Sequence, residues 1–339
     1  MLIFAAISIN SLTSDKIKKI ILSGADVLRY NFSYRSPEEN IERIKTAYQT
    51  IDELNSSVKI LIDFPPNKVR LGDFDLKLMT VKEGEEIIFQ SSEYSPDCHL
   101  FVPVQTTNLG SNTYVDQMIT IGDGEISIQV TEIIDTNTIK ARILNTGVIQ
   151  AMKGFNIGQK IDSERITNQY QEIFKHLEQN DIEPNYIAIP FITLQISEDI
   201  IRQIPECCKK SKIIFKIEDR AGIDCLEEIL KNPICNMIMM DRGEIGINVP
   251  FEKLGIVQKQ IIKMAKKYNK LVIISTQILE STMNNYIPNR AEILDLTNIV
   301  LDGAGGVMFC KETGLGLRPA YTISVAKKII QAVENNKYL

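Results

Sequence analysis

A chain of 339 residues, 44% of them hydrophobic and 24% charged, can bury a large core and divide into more than one compact unit. Its 38 basic and 43 acidic residues leave a net charge of −5, which argues against nucleic acid as the main partner. No stretch approaches the ~20 apolar residues of a membrane-spanning helix. Only His99 and His176 are available for histidine acid–base chemistry, and the six cysteines form neither a C-x-x-C pair nor a zinc-type cluster with histidine by spacing. They read as small core residues of a reducing compartment.

Met1–Ser8 is apolar but short, without a basic leader or small-residue cleavage site, so Leu2–Ser8 is expected to be a buried strand and the protein cytoplasmic. Helical periodicity covers Asp15–Ser23, with Gly24 as the stop. Asp26–Ser33 reads as a second strand, Ser36–Leu54 as a charged amphipathic helix, and Lys59–Phe64 as a third strand broken by Pro65-Pro66-Asn67. From Leu71 to Gly147 the pattern changes to period two, as in Glu86–Gln90, Met118–Ile121 and Glu125–Ile134. Gly122-Asp123-Gly124 reads as a tight turn, and the whole segment as a small all-β insertion.

After Lys153 strands and helices alternate again. The strands are Tyr186–Phe191, Lys212–Glu218, Met237–Asp241, Leu271–Gln277 and Gly305–Lys311; the helices are Ser163–Glu178, Ser197–Gln203, Ala221–Leu230, Phe251–Asn269, Ala291–Leu301 and Ala320–Glu334. Three strands before the insertion and five after it make eight. That count favours a closed (β/α)8 TIM barrel over an open doubly wound sheet. The expected division is 1–70 for the first part of the barrel, 71–150 for the all-β insertion and 151–339 for the remainder.

In such a barrel the chemistry sits at the C-terminal ends of the strands, and polar residues concentrate there. Strand two ends in Arg29, Asn31 and Ser33, strand three in Asp63 with Lys68 and Arg70 beyond, strand five in Lys216 and Glu218, strand six in Asp241 to Glu244, and strand seven in Ser275, Thr276 and Gln277. Lys216 and Glu218 are two apart and share a face, while Phe215 and Ile217 point the other way. A lysine and a glutamate in a barrel mouth are either an ion pair closing the barrel or part of a site. Glu218 and Glu244, from adjacent strand ends beside Arg29 and Lys216, suit a hard divalent cation and a phosphate, the equipment of phosphoryl transfer.

These segments carry a family likeness. Val27-Leu28-Arg29-Tyr30-Asn31-Phe32-Ser33 resembles V-A-R-L-N-F-S of the pyruvate kinases, Lys216-Ile217-Glu218 resembles K-I-E, and Arg242-Gly243-Glu244-Ile245-Gly246 resembles R-G-D-L-G. Thr276-Gln277-Ile278-Leu279-Glu280-Ser281 resembles T-Q-M-L-E-S, Pro288-Asn289-Arg290-Ala291-Glu292 resembles P-T-R-A-E, and Val300-Leu301-Asp302-Gly303-Ala304 resembles V-L-D-G-A. Each motif alone is weak; six in the same order over nearly the whole chain are specific.

The resemblance implies transfer of a phosphoryl group from phosphoenolpyruvate to ADP, giving pyruvate and ATP, with Mg2+ or Mn2+ held by Glu218 and Glu244. It implies that Lys216 stabilises the phosphoryl group and the enolate, that Arg29 contacts the phosphate, and that the Gly243 and Glu244 amides receive the substrate carboxylate. It also implies that Thr276 lies near the carbon that is protonated and that Arg70 and Lys153 contact the nucleotide, Lys153 from the hinge of a lid formed by the insertion. Asn31, Ser33 and Asp63 match ligands of the family's potassium ion, but the fourth position is Phe64, and Lys68 stands where potassium-independent members carry lysine. Potassium is therefore expected not to be required.

Departures from the family pattern cluster on the nucleotide side. The first loop is Ile7-Ser8-Ile9-Asn10-Ser11 in place of I-G-P-A-S, Asp63-Phe64-Pro65-Pro66-Asn67-Lys68-Val69-Arg70 replaces D-T-K-G-P-E-I-R, and Tyr34 replaces a histidine near the adenine. Two alternatives stay open: a paralogue acting on another enol phosphate or oxoacid, and a silent paralogue that binds a metabolite or protein. The sequence ends after the eighth barrel helix, so the family's C-terminal regulatory domain is expected to be absent, and a homodimer through the barrel is the expected assembly.

Overall fold

Eight short aliphatic runs pair in parallel in a computed structural model of the chain: β1 (Leu2–Ala6), β2 (Val27–Asn31), β3 (Lys59–Asp63), β4 (Tyr186–Ile189), β5 (Lys212–Ile217), β6 (Cys235–Asp241), β7 (Leu271–Ser275) and β8 (Gly306–Phe309). Each pairs with its sequence neighbours, and β8 returns to β1 through Leu2↔Gly306 and Ala5↔Phe309, closing an α/β TIM barrel as expected from the count of eight. Gly306 suits this closure, because a Cβ there would lie 3.0 Å from the Phe4 ring and 3.1 Å from the Leu2 carbonyl, a tight fit. The structure describes residues 1–33, 35–66, 68–122, 124–157, 163–193 and 202–336. It divides into two compact units, Met1–Pro66 with Glu164–Leu339, and Asn67–Ser163.

The strands alternate strictly. Phe4, Val27, Leu61, Ala188, Ile214, Met237, Met239, Ile273 and Met308 fill the barrel interior, while the residues between them, such as Leu28, Ile62, Phe215, Met240 and Ile274, pack with the helices outside. β6 keeps this phase only through a bulge. Ile213 pairs with Cys235, but Ile214 pairs with Met237, and the bypassed Asn236 uses its Oδ1 to accept the Ile213 N–H at 2.8 Å.

The outer helices Ser14–Leu22, Pro37–Glu53, Leu254–Lys267, Arg290–Asp302 and Pro319–Glu334 lie where periodicity placed them. Ser36 and Glu39 form a reciprocal capping box that starts the second of these. Gly24, at φ 107°, follows the first helix, and Gly303, at φ 81°, ends the fourth; both adopt left-handed conformations that a side chain would strain. Expected Ala221–Leu230 is instead two helices, Arg220–Asp224 and Leu226–Lys231, because Cys225 between them leaves the helical region at φ −100°, ψ 15°. Arg242–Asn248 forms a short helix that periodicity did not reveal. Residues 197–201 of the expected Ser197–Gln203 helix, and Tyr34, Asn67 and Asp123, lie outside the described residues.

The second unit is β-rich, with its own buried core of residues such as Leu71, Phe89, Ile128, Ile139 and Phe155. Its main sheet runs Phe155–Asn156, Met118–Ile121, Ile126–Asp135, Thr138–Ile143, Glu86–Ser91 and Val102–Val104. Among the described residues no helix is long and apolar enough to cross a membrane, and all six cysteines are free thiols. Spacing suggested no cysteine–histidine cluster, yet Asp97, Cys98 and His99 bring three potential ligand atoms within 4.8 Å of one another in this unit. A single turn folds consecutive side chains together there, which spacing rules for separated ligands do not describe.

Candidate active site

The period of two that fills the barrel interior also builds its mouth. Two residues past the apolar layer, the inward positions are Arg29 after Val27, Asp63 after Leu61, Lys216 after Ile214, Asp241 after Met239, Ser275 after Ile273 and Cys310 after Met308. Asp63, Lys216 and Glu218 are buried at 1%, 4% and 2% exposure, so each must be paired to be charged there.

They are paired with one another. Arg29 Nε and Nη2 donate to Asp63 Oδ2 at 2.8 and 2.5 Å. Asp63 Oδ1 faces Lys216 Nζ at 3.3 Å without hydrogen-bond geometry. Lys216 Nζ pairs with Glu218 Oε1 at 2.7 Å, and Glu218 Oε2 accepts the Phe191 N–H at 2.9 Å. Burial alone would lower both cations. Asp63 holds Arg29 above its ordinary value, and Asp63 with Glu218 does the same for Lys216. Burial pushes Asp63 up, but Lys216 and Arg29 outweigh it and hold the carboxylate below its ordinary range.

Glu218 behaves differently. Burial raises it to about 7; Lys216 pulls it down, and the charges of Asp241 and Glu244 push it further up. Around Arg29 and Lys216, the mouth thus gathers the carboxylates Asp63, Glu218, Asp241 and Glu244. The all-oxygen donor set of Glu218 and Glu244 fits a hard divalent cation.

The short helix Arg242–Asn248 positions Glu244 in its first turn. Asn248 Nδ2 donates to the carbonyls of Glu218 and Glu244 at 3.3 and 2.8 Å, tying the two segments together. The Gly243 N–H, expected to receive a substrate carboxylate, donates here to the helix cap, Asp241 Oδ1, at 3.0 Å.

β7 was expected to run to Gln277 but stops at Ser275, because Thr276 and Gln277 are left-handed at φ 76° and 56°. A β-branched residue in that region is strained. Arg242 holds the turn: its Nε and Nη2 donate to Thr276 O at 3.1 and 2.9 Å, and Nη2 also to Gln277 O at 2.8 Å. Asp295 fixes Arg242 Nη1 from the helix Arg290–Asp302 at 2.8 and 3.0 Å. The Thr276 hydroxyl donates to Asp241 Oδ1 at 2.7 Å. Sequence reading assigned no role to Asp241, Arg242 or Asp295. Counting by two from Met237 and Met239 would have turned Asp241 into the mouth, but nothing in the sequence joins Arg242 to Asp295.

At the expected monovalent site, Asn31 Oδ1 accepts the Ser33 N–H at 2.9 Å. Ser33 Oγ is buried without a hydrogen-bond partner among the described residues. Phe64 turns away from the mouth, stacking edge-on against Tyr170 at 4.8 Å. Lys68, Arg70 and Lys153 belong to the second unit. There Lys68 lies along Gly154, Arg70 Nη1 donates to Met152 O at 3.2 Å, and Lys153 pairs with Glu125 at 3.5 Å.

Residues 1–323 match the family described as pyruvate kinase, barrel domain. A pyruvate kinase of Thermotoga maritima is 33% identical over 324 residues, covering 94% of this chain and 68% of that protein. A Staphylococcus haemolyticus pyruvate kinase is 33% identical over 326 residues, covering 95% and 55%. One from Thermococcus litoralis is 32% identical over 336 residues, covering 98% and 69%. The chain thus spans between 55% and 69% of the length of these relatives.

Proposed function

The chain belongs to the pyruvate kinase family, and on that premise we propose that it transfers a phosphoryl group between phosphoenolpyruvate and ADP, with Mg2+ or Mn2+ and without a need for potassium. The observation that carries this reading is the buried chain Arg29–Asp63–Lys216–Glu218 at the C-terminal ends of the strands, with Glu244 supplying the further carboxylate.

Arg29 binds the phosphate with the guanidinium N–H groups that Asp63 leaves uncommitted; a guanidinium has five and Asp63 takes two. Lys216 neutralises charge on the transferring group and on the enolate oxygen that it leaves. Glu218 and Glu244 would hold the divalent cation, which would supply positive charge against the phosphate and enolate oxygens. Thr276 stands at the enolate carbon. Asp63 keeps Arg29 and Lys216 charged and fixed before substrate arrives, so little reorganisation is needed during reaction. Arg70 and Lys153 contact the nucleotide phosphates. The reading places the activity in the cytoplasm.

A coupled assay for pyruvate with phosphoenolpyruvate, ADP and magnesium tests it. Lys216→Ala is expected to lower turnover by about 10²–10³-fold, the effect of removing one preorganised charge stabiliser. Turnover unchanged in Lys216→Ala would refute the assignment. A second reading, another enol phosphate or oxoacid on the same site, is favoured by the first loop. Asn10 N and Nδ2 donate to the carbonyls of Gly314 and Leu315 at 3.2 and 2.5 Å, folding that loop onto the segment after β8. It predicts tight Mn2+–oxalate binding without pyruvate kinase turnover.

A further inference from the structure

The mouth contains one carboxylate that the reading above does not use, Asp241. Its Oδ1 accepts both the Thr276 hydroxyl at 2.7 Å and the Gly243 amide at 3.0 Å. It sits close enough to Arg29, Lys216 and Glu218 to act on the charge of all three, which places it among the reacting groups. An alcohol cannot give up a net proton near neutral pH unless it is refilled as it donates. Among the described residues, Asp241 is the one titratable group hydrogen-bonded to the Thr276 hydroxyl.

Resting on the enolate chemistry proposed above, we infer that Asp241 and Thr276 form a two-member proton relay to the carbon of the enolate, with Arg242 and Asp295 as the residues that hold it in line. In the direction of pyruvate formation, a C–H bond forms at the enolate carbon as the Thr276 O–H bond breaks. The Thr276 oxygen takes the proton of the Asp241 carboxyl in the same movement. Asp241 is left as a carboxylate and is reprotonated from water. In reverse, the methyl C–H bond breaks, Thr276 receives that proton, and its own passes to Asp241. The hydrogen bond seen here, from hydroxyl to carboxylate, is the arrangement ready for that reverse step. The left-handed turn makes the geometry possible. The backbone strain at such a residue is offset by the Arg242 hydrogen bonds to the carbonyls of Thr276 and Gln277.

The test follows exchange of pyruvate methyl protons with deuterated water by NMR, with magnesium and ATP, alongside phosphoenolpyruvate turnover. Asp241→Asn keeps a helix cap of equal quality but cannot carry the proton, and Thr276→Val removes the hydroxyl at nearly constant shape. Each is expected to lower exchange and kcat by about 10²–10⁴-fold, the range of positioned proton transfer. The KM for phosphoenolpyruvate and Mn2+–oxalate affinity should stay within the wild-type range. The double variant should lose no more than the worse single one, because both act on one proton path. Wild-type exchange in Asp241→Asn, or losses that multiply in the double variant, would overturn the relay. If Asp241→Asn does not fold, Asp241→Ser replaces it with the same expectation. Absence of both exchange and turnover in the unaltered protein removes the enolate reading itself, an outcome distinct from failure of the relay alone.

Discussion

Arg29 donates twice to a single oxygen of Asp63, at 2.8 and 2.5 Å, which leaves the other oxygen turned to Lys216. Asp63 is therefore the shared anion of two buried cations. Asp63→Asn is expected to destabilise the protein by about 3–5 kcal/mol, because it leaves Arg29 without its carboxylate partner and Lys216 with Glu218 alone. Denaturant unfolding checks this. The folded-state value of Asp63 is depressed, so its contribution is complete above about pH 4 and is lost as pH falls through the lower folded value. The variant should lack that part of the acid sensitivity. A variant as stable as the wild type would show that the network is not held by Asp63.

Divalent-cation affinity should fall with pH in the neutral range. Glu218 binds a cation only when ionised, and its value of about 7 means that protons compete below that pH. Mn2+ titrations are expected to show affinity weakening by up to about tenfold per pH unit below 7. Glu244→Gln removes one of the charges that raise Glu218 and should shift this dependence to lower pH, while weakening binding throughout. Affinity that is flat from pH 5 to 8 would contradict the assignment of Glu218 as a ligand.

Turnover in tetramethylammonium buffer should equal turnover in potassium. The physical reason is that Arg29 and Lys216 already neutralise Asp63, and the Phe64 side chain carries no ligand atom. Strict dependence on potassium would refute this.

Glu312, at 1% exposure, accepts the backbone N–H groups of Ile278 and Cys310 at 2.9 and 2.7 Å, joining the segment after β7 to the end of β8. Glu312→Gln turns an amide NH2 toward one of those donors. The expected cost is about 1–3 kcal/mol, read from thermal or denaturant unfolding. Burial raises Glu312 from 4.5 to about 7 against the pull of those N–H groups. Its favourable term is full below the ordinary value and is lost as pH rises through about 7. The stability gap between the two proteins should therefore narrow from pH 5 to 8; a gap that widens would reverse the sign argued here.

Much of the site was legible because the barrel places inward residues two apart. Lys216 and Glu218 could be put on one face from spacing alone, and the structure ion-pairs them at 2.7 Å. Glu244 was harder: it was expected at a strand end and lies in the first turn of a short helix that Asp241 caps. A seven-residue helix carries too few turns for periodicity to register. The break after Ser275 was missed for a related reason. Leu271–Gln277 reads as one apolar run, and Arg242, from the neighbouring strand end, holds the carbonyls of Thr276 and Gln277 in a conformation that they do not favour alone.

The sequence by itself determined the (β/α)8 class, the eight strands and the amphipathic helices, because period two and period 3.6 are local properties of side-chain direction. Tertiary structure decided which charges meet. The bulge at Asn236 sets the phase that turns Asp241 inward, the closing of β8 on β1 brings Cys310 and Glu312 to the mouth, and Asp295 reaches Arg242 from a helix 53 residues further on. Such contacts join segments far apart in the chain, and their strength depends on burial and on distances of about 3 Å, neither of which any local pattern of residues encodes.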